Sequence, residues 1–252
     1  MANAAYSRRV DDTIRRATPD DFTLLGHIAR LGDSEADPVY LDHIQRHGTL
    51  LVQETDGAVR AFAGMILVDG VAMVTDLFVD PSLRGTGVGS RLLDTLLTGH
   101  AQRMTFSSKH PAAVPAYRRA GMDPQWRLLY LRGTAVGGAP AFVEAPWGHD
   151  RVELVDYYVT RAGRHDADVV LVPEGDEIDI ARLQGSNGPA RFDAVLAALP
   201  AGTSVTCCAP EHGAVATHAL ARGFEVFDND IFCAAPGITL PADLHCLNPG
   251  LV

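Results

Sequence analysis

A chain of 252 residues, 47 % of them hydrophobic, is long enough for one large domain or two of ordinary size. Its formal charge of −10 belongs to the second half: residues 1–133 hold 15 acidic and 15 basic side chains, while 134–252 hold 16 and 6, a balance that argues against nucleic acid as a partner. No apolar run reaches the ~18–20 residues that span a bilayer, and the opening Met1-Ala2-Asn3-Ala4-Ala5 lacks the layout of a signal peptide, so a cytoplasmic protein that binds no membrane is expected. The four cysteines, Cys207, Cys208, Cys233 and Cys246, show no paired metal-ligand spacing, and no histidines form H-E-x-x-H, so no metal is expected and the thiols read as reduced and mostly buried.

Residues 13–17 read as a strand. Thr18-Pro19-Asp20-Asp21 is a helix start, with a capping hydroxyl, proline at the first position and acids against the dipole; Leu24, Leu25, Ile28 and Leu31 follow at helical spacing. A more polar helix is predicted over Asp37–His47, with Tyr40, Leu41 and Ile44 toward the core. Three antiparallel strands follow, at 49–54, 58–68 and 71–79, joined by Asp56-Gly57 and Asp69-Gly70, dipeptides suited to two-residue hairpins. After a glycine loop come a helix at 90–97, a strand at 104–107, a helix at 112–119 and a strand at 125–131. The order predicts a mixed α/β domain around a central sheet.

The glycine loop, Arg84-Gly85-Thr86-Gly87-Val88-Gly89, leads into the helix at Ser90. Helix N-termini present unpaired N–H groups and partial positive charge, which suits a phosphate; the glycines allow close approach and Arg84 adds charge. A Rossmann site is disfavoured, because the preceding strands are hairpin partners and the spacing is G-x-G-x-G.

With its flanking strand Asp76-Leu77-Phe78-Val79 and helix, the loop resembles the R/Q-x-x-G-x-G/A motif of the GNAT superfamily of N-acetyltransferases. A second stretch, from His110-Pro111-Ala112 through Tyr117 to Gly121-Met122, is similar to that family's N-x-x-A-x-x-x-Y-x-x-x-G-F segment along the pantetheine arm, with His110 in place of asparagine and Met122 in place of phenylalanine. The resemblance covers residues 12–132 and implies an acyl-CoA N-acyltransferase fold with acetyl-CoA as donor. It also implies roles: Arg84 to Ser90 for the pyrophosphate, His110 and Tyr117 along the pantetheine, and the N–H of Val79 or Phe78 for the thioester oxygen. Tyr117 would protonate the departing thiolate. Asp76 is the candidate base, with Glu35, His27 or a water relay as alternatives; Lys109 and Arg91 are candidates for the outer phosphate.

The second half echoes the first at an offset of 102, with Leu97 meeting Leu199, Ala112 meeting Ala214, Gly121 meeting Gly223 and Leu129-Tyr130 meeting Ile231-Phe232. Residues 1–133 are thus expected to form the catalytic domain, 134–150 a connector and 151–252 a degenerate GNAT-like copy. In that copy the loop becomes Ser186-Asn187-Gly188-Pro189-Ala190-Arg191 and Tyr117 becomes Ala219. The expected role of the copy is to shape the acceptor pocket or a homodimer interface. A small-molecule amine is the expected acceptor; a protein terminus or lysine, or a non-catalytic acyl-CoA sensor, are the alternatives.

Overall fold

The computed structural model describes residues 12–148 and 151–252. It divides into two compact units, one reaching to Leu67 and including Asp76–Gly99, the other made of Val68–Thr75 and His100–Val252. Helices flank β-sheet in a mixed α/β fold.

In the first unit, β1 (Asp12–Arg16), β2 (Gly48–Thr55) and β3 (Ala58–Val68) form an antiparallel series. The Asp56-Gly57 turn has φ of 52° and 76°, and Asp69-Gly70 has 49° and 82°, the pair of positive values a type I′ hairpin needs. The predicted first helix starts as a 3-10 turn at Pro19–Asp21 and continues as α1 (Phe22–Arg30). There Asp21 takes the Thr18 N–H at 2.7 Å and the Arg15 guanidinium at 2.8 Å. α2 (Pro38–His47) buries Leu41 and Ile44 as expected, but Tyr40 is only half-buried and points its hydroxyl at a carboxylate.

β4 (Val71–Val79) begins in the second unit and ends in the first. Its parallel pairing with β5 (Arg103–Ser107) covers Ala72–Val74 and stops five residues before β4 does. α3 (Val88–Leu96) follows in the first unit; α4 (Ala113–Arg119) and β6 (Asp123–Thr134) belong to the second.

Residues 135–148 carry no helix or strand, yet Ala135 and Phe142 are buried in the second unit's core. Beyond them lie α5 (Val152–Thr160), β7 (Arg164–His165), β8 (Val169–Glu174) and β9 (Glu177–Gln184), elements the sequence pattern does not assign. Then come α6 (Gly188–Ala198), β10 (Ser204–Pro210), α7 (Ala214–Ala221), β11 (Glu225–Ala234) and β12 (Leu244–Leu247).

The strand order within this unit is β4, β5, β11, β6, β10, β9, β8, β7, with β12 also on β9. Thus β11 lies between β5 and β6, and β6 lies between β11 and β10. The registers obey the 102-residue offset: Ile231 pairs with Ser107, and Leu129 with Ala209; Cys233 pairs with Thr105, and Leu131 with Cys207. Along β6 and β11 themselves, Tyr130 faces Asp228 and Trp126 faces Phe232, again exchanged by the same shift. Gly121 and Gly223, each closing a helix, share a left-handed φ of 80° and 89°.

Candidate active site

The glycine loop is held from both sides. Before it, Asp80 caps the 3-10 turn Pro81–Leu83, accepting the N–H of Ser82 at 2.9 Å and its hydroxyl at 2.7 Å. Those bonds, with Arg60 3.0 Å away, keep the Asp80 carboxyl below its ordinary range. After it, Gly87 is the N-cap of α3, and the first turn of this nine-residue helix carries no acidic side chain. The first helical amide to find a carbonyl is that of Arg91, 3.0 Å from Gly87 O; a helix start leaves the preceding N–H groups pointing outward.

Gly85 and Gly87 have φ of 80° and 86°, where a side chain is strained. At Gly89 the packing is tight, since a Cβ there would come within 3.3 Å of Val79 Cγ2. Val79 and the helix start are therefore in close contact. Phe78 lies on Phe62, ring centroids 5.3 Å apart. Exposed N–H groups at a helix start, a left-handed loop without Cβ atoms and no competing acid fit a diphosphate.

The Arg84 guanidinium turns back onto the carbonyls of Val79 and Leu31, both at 3.4 Å. Arg91 is ion-paired to Asp12 at 2.9 Å and Lys109 to Asp228 at 2.5 Å, so each already has an acidic partner on the surface. Asp76 is 6 % exposed and accepts a hydrogen bond from the Tyr40 hydroxyl at 2.8 Å. His27 and Glu35 are exposed.

In the second unit, Tyr117 on α4 is 7 % exposed, and its carbonyl accepts the Met122 N–H at 3.0 Å. His110 sits just before α4 and its Nδ1 accepts the Ala112 N–H at 3.2 Å. Phe78, Val79, Asp76 and the loop Arg84 to Ser90 thus share one unit, and His110 and Tyr117 lie in the other. The contribution of Tyr40 was not legible in the helix pattern, which placed it with the apolar face; the signal would have been a phenol where a core leucine serves as well.

The corresponding segment of the second half is filled by protein. A Cβ on Gly188 would meet the His245 ring at 2.5 Å, and His245 Nε2 is itself 2.8 Å from Gly185 O. Arg191 folds back to Ser186 O at 2.9 Å and pairs with Asp168. Among the described residues no group of three or more His, Cys, Asp or Glu could hold a metal ion. The four cysteines are free thiols; burial pushes those of Cys208 and Cys233 above the usual range, and at Cys246 a hydrogen bond that its thiol donates to Cys207 does so together with burial.

In this mixed α/β fold a strand thus runs through a left-handed glycine loop into a helix start, a frame for a diphosphate. Residues 14–122 match the acetyltransferase (GNAT) family. Whole-chain likeness extends to solved structures at low identity. An acetyltransferase described as putative from Pyrococcus horikoshii is 14 % identical, with a TM-score of 0.75 and 96 % of both chains covered. A GCN5-related N-acetyltransferase from Sphaerobacter thermophilus, also 14 % identical, has a TM-score of 0.58 over 91 % of this chain and 98 % of its own. Another from Kribbella flavida, 14 % identical, has 0.54 over 96 % and 82 %. No curated protein sequence matches the chain.

Proposed function

We propose that this protein transfers the acetyl group of acetyl-CoA to the primary amine of a small molecule. The loop from Arg84 to Gly89 carries the reading, as an anion site at the start of α3. Bound there, acetyl-CoA supplies an activated acetyl thioester.

The chain's own residues then divide the work. Asp76 takes a proton from the ammonium, directly or through water, and passes it to solvent. The uncharged nitrogen forms the C–N bond as the C–S bond breaks, and the N–H of Phe78 or Val79 supports the negative charge on the carbonyl oxygen; one such donor contributes about 10²–10³ in rate. Tyr117 gives its proton to the departing sulfur and recovers one from the nitrogen, so the products are amide, thiol and one proton released.

Residues 151–252, on this reading, are a degenerate copy without a cofactor site of its own. Pro189 removes an amide from the corresponding helix start, and the His245 ring occupies the space beside Gly188. Its role is to enclose the acceptor.

Gly87→Val is expected to weaken acetyl-CoA binding at least ~10-fold by calorimetry with the far-UV dichroism retained, because a branched residue at that φ distorts the helix start. Wild-type protein that binds no acetyl-CoA would overturn the proposal. Free-thiol release over a panel of amines and of peptides with free termini or lysines tests the acceptor. Turnover of peptides alone would replace the small-molecule amine with a protein.

A further inference from the structure

We propose that Tyr40 is a positioning residue for acyl transfer, acting through Asp76 and holding its carboxylate in the orientation that receives the amine's proton. The inference rests on the reading of Asp76 as the base. It is carried by the bond from the Tyr40 hydroxyl to Asp76 Oδ2 at 2.8 Å, between residues 36 apart in sequence.

That bond ties the first turn of α2 to β4 three residues before Val79, whose side chain packs at Gly89 where the cofactor loop enters α3. A carboxylate that is 6 % exposed needs hydrogen bonds to stay ionised, and the donor chosen sets how it behaves. The same unit shows the other choice. Asp21 is gripped by the Arg15 guanidinium and its carboxyl is lowered to about 2 by that bond, with burial opposing; a group held so low is a poor base at neutral pH. At Asp76 the Tyr40 phenol contributes a neutral donor, and its hydrogen bond orients the carboxylate.

The phenol is delivered from a fixed backbone. Asp37 caps α2 and its Oδ1 accepts the Tyr40 N–H at 2.8 Å, Pro38 stands at the first helical position, and Leu41 and Ile44 are both wholly buried. Tyr40 keeps its own proton throughout; the proton taken by Asp76 leaves to solvent.

The test is a double-mutant cycle on kcat with Tyr40→Phe, Asp76→Asn and the pair. Thiol release is followed with acetyl-CoA and whichever of tyramine, spermidine, glucosamine and lysine the wild type acetylates fastest, and acetyl-CoA affinity is read separately by calorimetry. Tyr40→Phe is expected to lower kcat about 10-fold, a part of the about 10²–10⁴ that a general base contributes. KM for the amine and Kd for acetyl-CoA should stay within about twofold, and the double variant should be no slower than Asp76→Asn alone. Tyr40→Gln, which retains a neutral donor, should recover part of the rate that Tyr40→Leu loses, and this pair decides the matter if Tyr40→Phe does not fold. Wild-type kcat in Tyr40→Phe, a loss confined to KM, equal rates for Gln and Leu, or multiplicative losses in the double variant would each overturn the proposal. Those outcomes leave the acetyltransferase reading intact if the wild type binds and turns over acetyl-CoA. Failure of the wild type to turn over any of the four amines, or to bind acetyl-CoA at all, overturns both.

Discussion

Two polar side chains, one buried and one half-buried, report how individual residues balance desolvation. Gln53 is 0 % exposed on β2, and neither its amide oxygen nor its nitrogen meets a protein partner. An unsatisfied buried amide costs about 1–3 kcal/mol, so Gln53→Leu is expected to raise the urea midpoint; an unchanged or lower midpoint would show that the amide is satisfied after all. Asp179 on β9 is the opposite case, an ionisable group whose neighbourhood disfavours its charge. Burial pushes its carboxyl up to about 7, against a hydrogen bond from Thr206 at 3.1 Å that pulls it down. A carboxyl raised in the folded state destabilises the protein when ionised, so its contribution worsens as pH climbs from about 4 to about 7 and is constant outside that window. Asp179→Asn should therefore raise Tm at pH 8 and leave it unchanged near pH 4. A gain of equal size at both would point to packing instead of charge.

At the scale of elements, the hairpins and the cofactor loop were legible because their conformations are local. Asp-Gly turns and the glycines at 85 and 87 demand positive φ wherever they stand, and all of them adopt it. Helix α2 lies where the pattern of Leu41 and Ile44 put it, and the structure adds Asp37 as its cap and Pro38 at its start. Asp37→Ala should cost about 0.5–2 kcal/mol in chemical unfolding. If Tyr40 acts as proposed, that substitution should also lower kcat, because the cap sets where the phenol begins. The bond from Tyr40 to Asp76 was not legible, because no periodicity names a partner 36 residues away. Lys109 and Arg91 illustrate the reverse limit. Their place beside the motifs suggested phosphate contacts, yet each is engaged by a carboxylate that sequence proximity did not reveal.

For the whole molecule, the offset of 102 was visible in the sequence as a faint echo, and the strand registers turn it into geometry. With β11 seated between β5 and β6, neither strand has its full set of hydrogen bonds without the last strands of the chain. Expression of residues 1–133 alone is thus expected to yield aggregated or unfolded protein, because two interior strands would become open edges. A soluble fragment with a cooperative unfolding transition would refute that dependence. Composition and short-range pattern determined the mixed α/β class, the hairpins and the glycine loop, since turn dihedrals, caps and alternation are settled within a few residues. Only the tertiary structure decided that β11 enters beside β5, that His245 fills the second helix start and that a phenol holds Asp76. Each of those depends on a register or contact between residues 36 or more apart, where one position's shift would turn every side chain to the other face.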